Sequence, residues 1–145
     1  MKKLAIFVLG LVALVSLSGC AGSGTSTTTS QSGESLKKGT FVAVKWQDQN
    51  YYLAVVQKLN NTSGKYILKF ADDTEEAYAQ DLLTVVPPKL TLKAGDAVSA
   101  AYPATGRFYP AKVTEVNELG VMIDWDDGSP DSLLPQGHIL LGALK

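Results

Sequence analysis

The chain has 145 residues, 46% of them hydrophobic and 19% charged, with 13 basic and 14 acidic side chains, one histidine and one cysteine. That leaves room for one ordinary domain or two very small ones. A near-neutral balance without a basic stripe disfavours a nucleic-acid surface, and a lone cysteine allows no disulfide within the chain.

Lys2 and Lys3 precede a largely apolar run over residues 4–17, too short to span a bilayer comfortably, which ends in Leu17-Ser18-Gly19-Cys20. This segment resembles a bacterial lipoprotein signal peptide with its lipobox: an apolar residue, two small ones and the cysteine. The resemblance covers residues 1–20. It implies cleavage before Cys20, a diacylglycerol thioether on its sulfur and an acylated new N-terminus. Several acyl chains at about 0.8 kcal/mol per buried methylene make a stable membrane anchor where one would be marginal. Ala21 stands where an Asp would retain such proteins in the inner membrane of enteric bacteria. The implied location is therefore the cell envelope, lipid-anchored at the outer membrane and facing the periplasm. The alternative is a secretory peptide or transmembrane helix with an incidental cysteine. Without Lys2 and Lys3, 11 basic side chains stand against 14 acidic ones, a charge of −3.

Residues 21–35 are Ser, Thr and Gly with almost nothing apolar, too little to offset backbone ordering. They read as a tether of roughly 16 residues spanning about 20 Å as a coil. Order begins near Leu36. Residues 41–46 alternate as a strand, with Val42, Val44 and Trp46 on one face. A polar turn over 47–50 leads to a second strand over 51–59. Asn60-Asn61-Thr62-Ser63-Gly64 is a hairpin loop, followed by strands over 65–70, 75–78 and 83–86. Five short strands without helical periodicity predict a small, bent antiparallel barrel.

Pro87-Pro88 ends the series, and the chain then repeats it over 97–102, 108–116, 120–125 and 139–141. Gly39, Trp46, Tyr51-Tyr52 and Phe70-Ala71-Asp72-Asp73 are matched by Gly95, Tyr102, Phe108-Tyr109 and Trp125-Asp126-Asp127-Gly128. The period is about 56 residues. Asp127-Gly128 signals a two-residue type I′ hairpin, and Asp73, in place of that glycine, tolerates the left-handed region better than most residues. Each unit has too small a core to stand alone comfortably, so the two are expected to pack on each other.

These motifs resemble Tudor and Agenet domains of the Royal superfamily. The resemblance rests on Val42-Ala43-Val44-Lys45-Trp46, Tyr51-Tyr52-Leu53-Ala54 and Phe70-Ala71-Asp72-Asp73. It recurs in Val98-Ser99-Ala100-Ala101-Tyr102, Phe108-Tyr109-Pro110-Ala111 and Trp125-Asp126-Asp127-Gly128. It covers nearly all of residues 37–141 and implies an all-β chain of two tandem five-stranded antiparallel barrels of SH3-like type. The expected organisation is a signal peptide over 1–19, Cys20 and a linker through 36, and Tudor-like barrels over 37–87 and 88–145. The resemblance further implies an aromatic cage in each barrel. Trp46, Tyr52 and Phe70 with Asp72 form the first, and Tyr102, Tyr109 and Trp125 with Asp127 the second. Ring faces attract a methylated cation through their quadrupole, and a carboxylate adds charge. The fourth wall common in family cages, two residues past the Asp, is absent, because Thr74 and Ser129 stand there. The same rings equally suit the caps of two small cores.

Acidic residues cluster beside these positions: Asp72, Asp73, Glu75 and Glu76 in one copy, Asp124, Asp126, Asp127 and Asp131 in the other. They read as solvated turns or as an attraction for a cationic partner. Neither cluster has the spacing of a known calcium loop, and no metal or cofactor is expected. His138 reads as a surface or loop residue, and no glycine-rich phosphate loop or nucleophile elbow is present, so no catalysis is expected. The expected function is a lipid-anchored envelope module that binds a peptide, or a methylated or cationic group. The alternatives are a structural envelope lipoprotein acting as scaffold or spacer, and a binder of cell-wall glycan.

Overall fold

The computed structural model describes residues 35–144, so the expected signal peptide, the expected lipid attachment at Cys20 and the expected linker up to residue 34 lie outside the described residues. The described chain is all β, with no α-helix. β1 (Phe41–Lys45), β2 (Tyr51–Asn60), β3 (Lys65–Phe70), β4 (Glu75–Tyr78) and β5 (Leu83–Val85) form one antiparallel sheet in the order β4-β3-β2-β1-β5. β6 (Ala97–Ala101), β7 (Phe108–Asn117), β8 (Gly120–Trp125), β9 (Ser132–Leu134) and β10 (Ile139–Leu141) form the second, in the order β9-β8-β7-β6-β10. The internal repeat is thus a repeat of topology. It extends to details: β2 is bulged between Val56 and Lys58 where β7 is bulged between Val113 and Glu115. A 3-10 turn, Gln80–Leu82 or Gln136–His138, precedes the last strand of each copy.

Three expectations are corrected. The sheets are not closed barrels, because β1 is flanked by β2 and β5 while β4 pairs only with β3, and β9 likewise only with β8. The last strands are too short to turn the corner and ladder onto the far edge. β9 was not expected as a strand. It is three residues between Pro130 and Pro135, a length that shows no periodicity. The β8–β9 turn is not type I′: of its Asp127-Gly128 pair only Gly128 has positive φ (79°), and Gly128 N–H donates to Trp125 C=O at 3.0 Å. The first copy makes the same turn, there within a three-residue loop. Asp73 N–H donates to Phe70 C=O and Phe70 N–H to Thr74 C=O, with Asp73 itself at φ 66°. A type I turn followed by one left-handed residue requires only that last residue to be Gly, Asn or Asp.

Alternation explains the cores. Val42, Val44, Ala54, Val56, Tyr66 and Leu68 form the first and are each nearly or fully buried. Val98, Ala100, Ala111, Val113, Val121 and Ile123, with Trp125, Leu134 and Ile139, form the second. Each fully buried Val, Leu or Ile contributes about 1.5–3 kcal/mol.

The opposite faces of the same strands build a third cluster. Ala43, Leu53, Val86, Ala101, Phe108 and Leu140 pack together, flanked by Phe41, Tyr51 and Leu144. β1–β2 and β6–β7 are therefore buried on both faces, and the copies share a seam, so residues from 35 onward form one compact unit. Backbone hydrogen bonding crosses the seam: Leu53 N–H donates to Gly106 C=O at 2.7 Å, and Tyr52 and Arg107 form an isolated antiparallel bridge. His138 packs edge-on against Phe41 across the same seam, with ring centroids 5.4 Å apart. Ser99, buried within the second copy, donates its hydroxyl to Gly142 C=O and accepts from Leu144 N–H, which ties the C-terminal segment to β6.

Candidate functional site

Each inner-face stripe ends in an aromatic ring, and in both sheets the three rings lie at the same end. Period 2 carries Val42 and Val44 to Trp46, Val56 and Ala54 to Tyr52, and Tyr66 and Leu68 to Phe70. Register then assembles them: Val44 faces Tyr52, Ala54 faces Phe70, and Trp46 N–H donates to Asn50 C=O to close the β1–β2 hairpin. Trp46 meets Tyr52 at 6.5 Å and Phe70 at 5.5 Å between centroids, both near perpendicular. Tyr78 on β4 adds a ring 6.1 Å from Phe70. This fourth aromatic comes from the edge strand rather than from the turn. All four rings are partly exposed.

The second copy does the same with Tyr102, Tyr109 and Trp125. Centroids are 6.3 Å apart for Tyr102 and Tyr109, 5.6 Å for Tyr102 and Trp125, and 6.3 Å for Tyr109 and Trp125. The expected ring triads are thus brought together in both copies, with different access. Trp125 is only 3% exposed, and its indole Nε1–H donates to Ser132 Oγ at 3.0 Å. Tyr102 is 39% exposed and closes the cluster from outside.

The expected acidic contacts are engaged elsewhere. Asp72 Oδ1 accepts from Thr74 N–H at 3.1 Å and from Thr74 Oγ1 at 2.6 Å, and these bonds, led by the hydroxyl, hold its carboxyl below the usual range. Asp127 Oδ1 accepts from Ser129 N–H at 2.9 Å, with the same effect. Both are turn-stabilising bonds to the residue two places on. The carboxylate that touches a ring of the first triad is Asp48, whose Oδ2 accepts from the Tyr52 hydroxyl at 2.8 Å. Asp48 also takes hydrogen bonds from Asn50 N–H and Nδ2. The Asn50 side chain is the main reason its carboxyl is held below the usual range, and the bond to Asp48 chiefly raises the Tyr52 phenol. Sequence reasoning took residues 47–50 only as a turn, although an Asp four residues before an aromatic in a three-residue loop is within reach of it.

The second copy places a cation, Arg107, at the position that Asn50 holds in the first. Arg107 Cζ lies 4.8 Å over the Tyr109 ring, and its Nη2–H donates to Asn50 Oδ1 at 2.6 Å across the seam. Its Nε–H is buried without a hydrogen-bond partner. A guanidinium stacked on a ring and held by a planar acceptor is a strong fixture when desolvated.

His138 is half-buried against Phe41, and burial lowers its pKa. Among the described residues no group of three or more His, Cys, Asp or Glu side chains could hold a metal ion. The arrangement offers ring faces, a carboxylate and hydrogen-bond donors, which suits recognition of a cation or a peptide. No protein-family model and no curated protein matches the chain.

Proposed function

We propose that the protein is a lipid-anchored, non-catalytic binding module of the bacterial cell envelope, whose two Tudor-like sheets recognise a peptide or a methylated or otherwise cationic group. The observation that carries this reading is the recurrence of three clustered rings at the same end of both sheets, on equivalent positions of a duplicated topology. Core capping alone would need apolar bulk. In the first copy, however, Trp46, Tyr52, Phe70 and Tyr78 are only partly buried, and Asp48 is hydrogen-bonded to one of them. A partly exposed ring cluster beside a carboxylate favours a cation in water by about 0.5–1 kcal/mol per ring contact, and more when desolvated. The anchor rests on the lipobox-like segment ending at Cys20, and a tether of the composition of residues 21–35 would hold the folded unit away from the lipid.

Two measurements test the reading. Titration of the protein with tetramethylammonium, followed by the Trp46 indole N–H signal, should give a saturable shift that Trp46→Ala abolishes. No shift up to molar ligand would remove the cation-binding role. Incorporation of labelled palmitate in cells should be lost in Cys20→Ser, and undiminished label would remove the anchor.

A second reading is favoured at the second copy by the burial of Trp125 and the internal use of its indole N–H. There the rings are core, and that sheet acts as a scaffold for a protein partner. Cross-linking in cells that traps one stable envelope partner, in the native protein and in Trp46→Ala alike, would favour it.

A further inference from the structure

We infer that Arg107 is the protein's own occupant of the second ring cluster, so that one external cation binds, at the Trp46 cluster, and not two. This rests on the cation-binding reading above and adds its stoichiometry, its polarity and the residue that sets both. Tyr102 N–H donates to Arg107 C=O at 2.8 Å, so the two residues face each other across the β6–β7 hairpin, and Tyr109 follows Arg107 by two. Cross-strand partners and residues two apart project to one side of a sheet, which puts the guanidinium on the side where Tyr102, Tyr109 and Trp125 cluster. With Cζ 4.8 Å from the Tyr109 centroid, it covers the ring face of Tyr109 that an external cation would need.

The first copy differs at the equivalent position. Asn50 closes the β1–β2 hairpin opposite Trp46 as Arg107 closes the β6–β7 hairpin opposite Tyr102. It is uncharged, and its loop carries the carboxylate of Asp48 onto Tyr52. One frame therefore presents a negative ring cluster and a positive one. A single polar chain joins them. Arg107 Nη2 donates to Asn50 Oδ1 at 2.6 Å, Asn50 Nδ2 donates to Asp48 Oδ2 at 2.9 Å, and the Tyr52 hydroxyl donates to the same Oδ2 at 2.8 Å. The buried Nε–H of Arg107 shows that the guanidinium is partly desolvated, where an incoming like charge is least screened.

The chain has two tryptophans, one in each cluster, so two indole signals report the two places separately. In the full-length ¹⁵N-labelled protein, tetramethylammonium chloride, with sodium chloride as the ionic-strength control, should move the Trp46 indole signal saturably and leave that of Trp125 still. Arg107→Gln, which keeps a donor for Asn50 but no charge, and Arg107→Met should each gain a second equivalent that moves Trp125 and the Tyr109 amide. Amide dispersion shows whether each variant is folded. A Trp125 response in the native protein, or none in a folded variant, overturns the occupancy. A silent Trp46 in the native protein with a responsive Trp125 in the variants removes the binding role of the first cluster and leaves the occupancy standing. If neither variant folds, the native protein still decides the matter. The Arg107 side-chain protons should be shifted upfield by the Tyr109 ring and stay so while Trp46 saturates, and their return to random-coil positions on titration overturns the inference.

Discussion

Asn50 and Arg107 occupy the same position in the two repeats, each closing the first hairpin of its sheet, and they hydrogen bond to each other at 2.6 Å. The duplication therefore meets itself at a point where its two halves have diverged in charge. Around that point, Leu53 N–H reaches Gly106 C=O, whereas the residue in the place of Leu53 in the second copy is Pro110, which has no N–H to return the bond.

Removing the acceptor while keeping the guanidinium leaves a partly buried donor unpaired. Asn50→Ala should lower stability by about 1–3 kcal/mol. In a double-mutant cycle with Arg107→Met the coupling should exceed about 0.5 kcal/mol, because the pair is in direct contact. Urea denaturation of the four proteins measures it, and additive losses would show that the contact contributes nothing.

The two tryptophans should respond differently. Trp125→Ala opens a cavity in a packed core and should cost about 3–5 kcal/mol. Trp46→Ala truncates a half-buried ring and should cost about 1 kcal/mol, scaled from the value for full burial. Acrylamide quenching of Trp125→Phe and Trp46→Phe, each leaving one tryptophan, should show Trp46 accessible and Trp125 shielded.

The β1–β2 loop places Gln49 at φ 67°, where the longer second-copy loop has Gly106 at φ 69°. A left-handed residue with a side chain is strained by about 1–2 kcal/mol, so Gln49→Gly should raise the melting temperature. Gly106→Ala adds that strain and brings a Cβ to 3.2 Å from the Ala71 Cβ, so it should lower stability by more than Gln49→Gly raises it. Thermal denaturation compares the two.

Burial against Phe41 lowers the pKa of His138 from 6.5, so the unfolded chain binds the proton more tightly than the native one. Stability from this residue is fully present above pH 6.5 and falls with pH between 6.5 and the lower native value. His138→Phe keeps a ring against Phe41 and should lose that slope in denaturation curves taken across this window.

Among the six tyrosines, Tyr78 should ionise at about 12, chiefly because burial disfavours the phenolate, with Glu76 adding to it. Ultraviolet titration of the native protein against Tyr78→Phe should show the loss of a late step. The stability it supplies is present below pH 10 and lost as pH rises through its native pKa.

Where alternation and turn chemistry decide the structure, the sequence is legible. Val42, Val44 and Trp46 fall on one face at period 2, and the ring triads follow from three such stripes ending together. What escapes is tertiary. The seam was legible only as a hint, since Phe41-Val42-Ala43-Val44 and Val98-Ser99-Ala100-Ala101 are apolar or small on both faces, as strands buried twice must be. Asp48 escaped because its partner is set by the loop's geometry, and Arg107 because its partner lies in the other repeat. The access of each ring could not be read from spacing. Phe70 and Trp125 end the third strand of their copies and differ in burial: Trp125 is tied by its indole N–H to Ser132 beside the buried Leu134 of β9, where Phe70 has the part-exposed edge residue Tyr78.

The open sheets leave unpaired strand edges, and their chemistry governs how the molecules behave when crowded. β4 carries Glu75 and Glu76 on its free edge beside Asp72 and Asp73, β9 is three residues between two prolines, and β5 runs into Pro87-Pro88. Carboxylates repel an identical edge, and proline has no N–H to offer a neighbouring strand. Three of the four free edges are thus guarded against pairing with a second copy, and β10, whose Ile139-Leu140-Leu141 carries neither proline nor carboxylate, is the one edge at which crowded chains could add strand to strand.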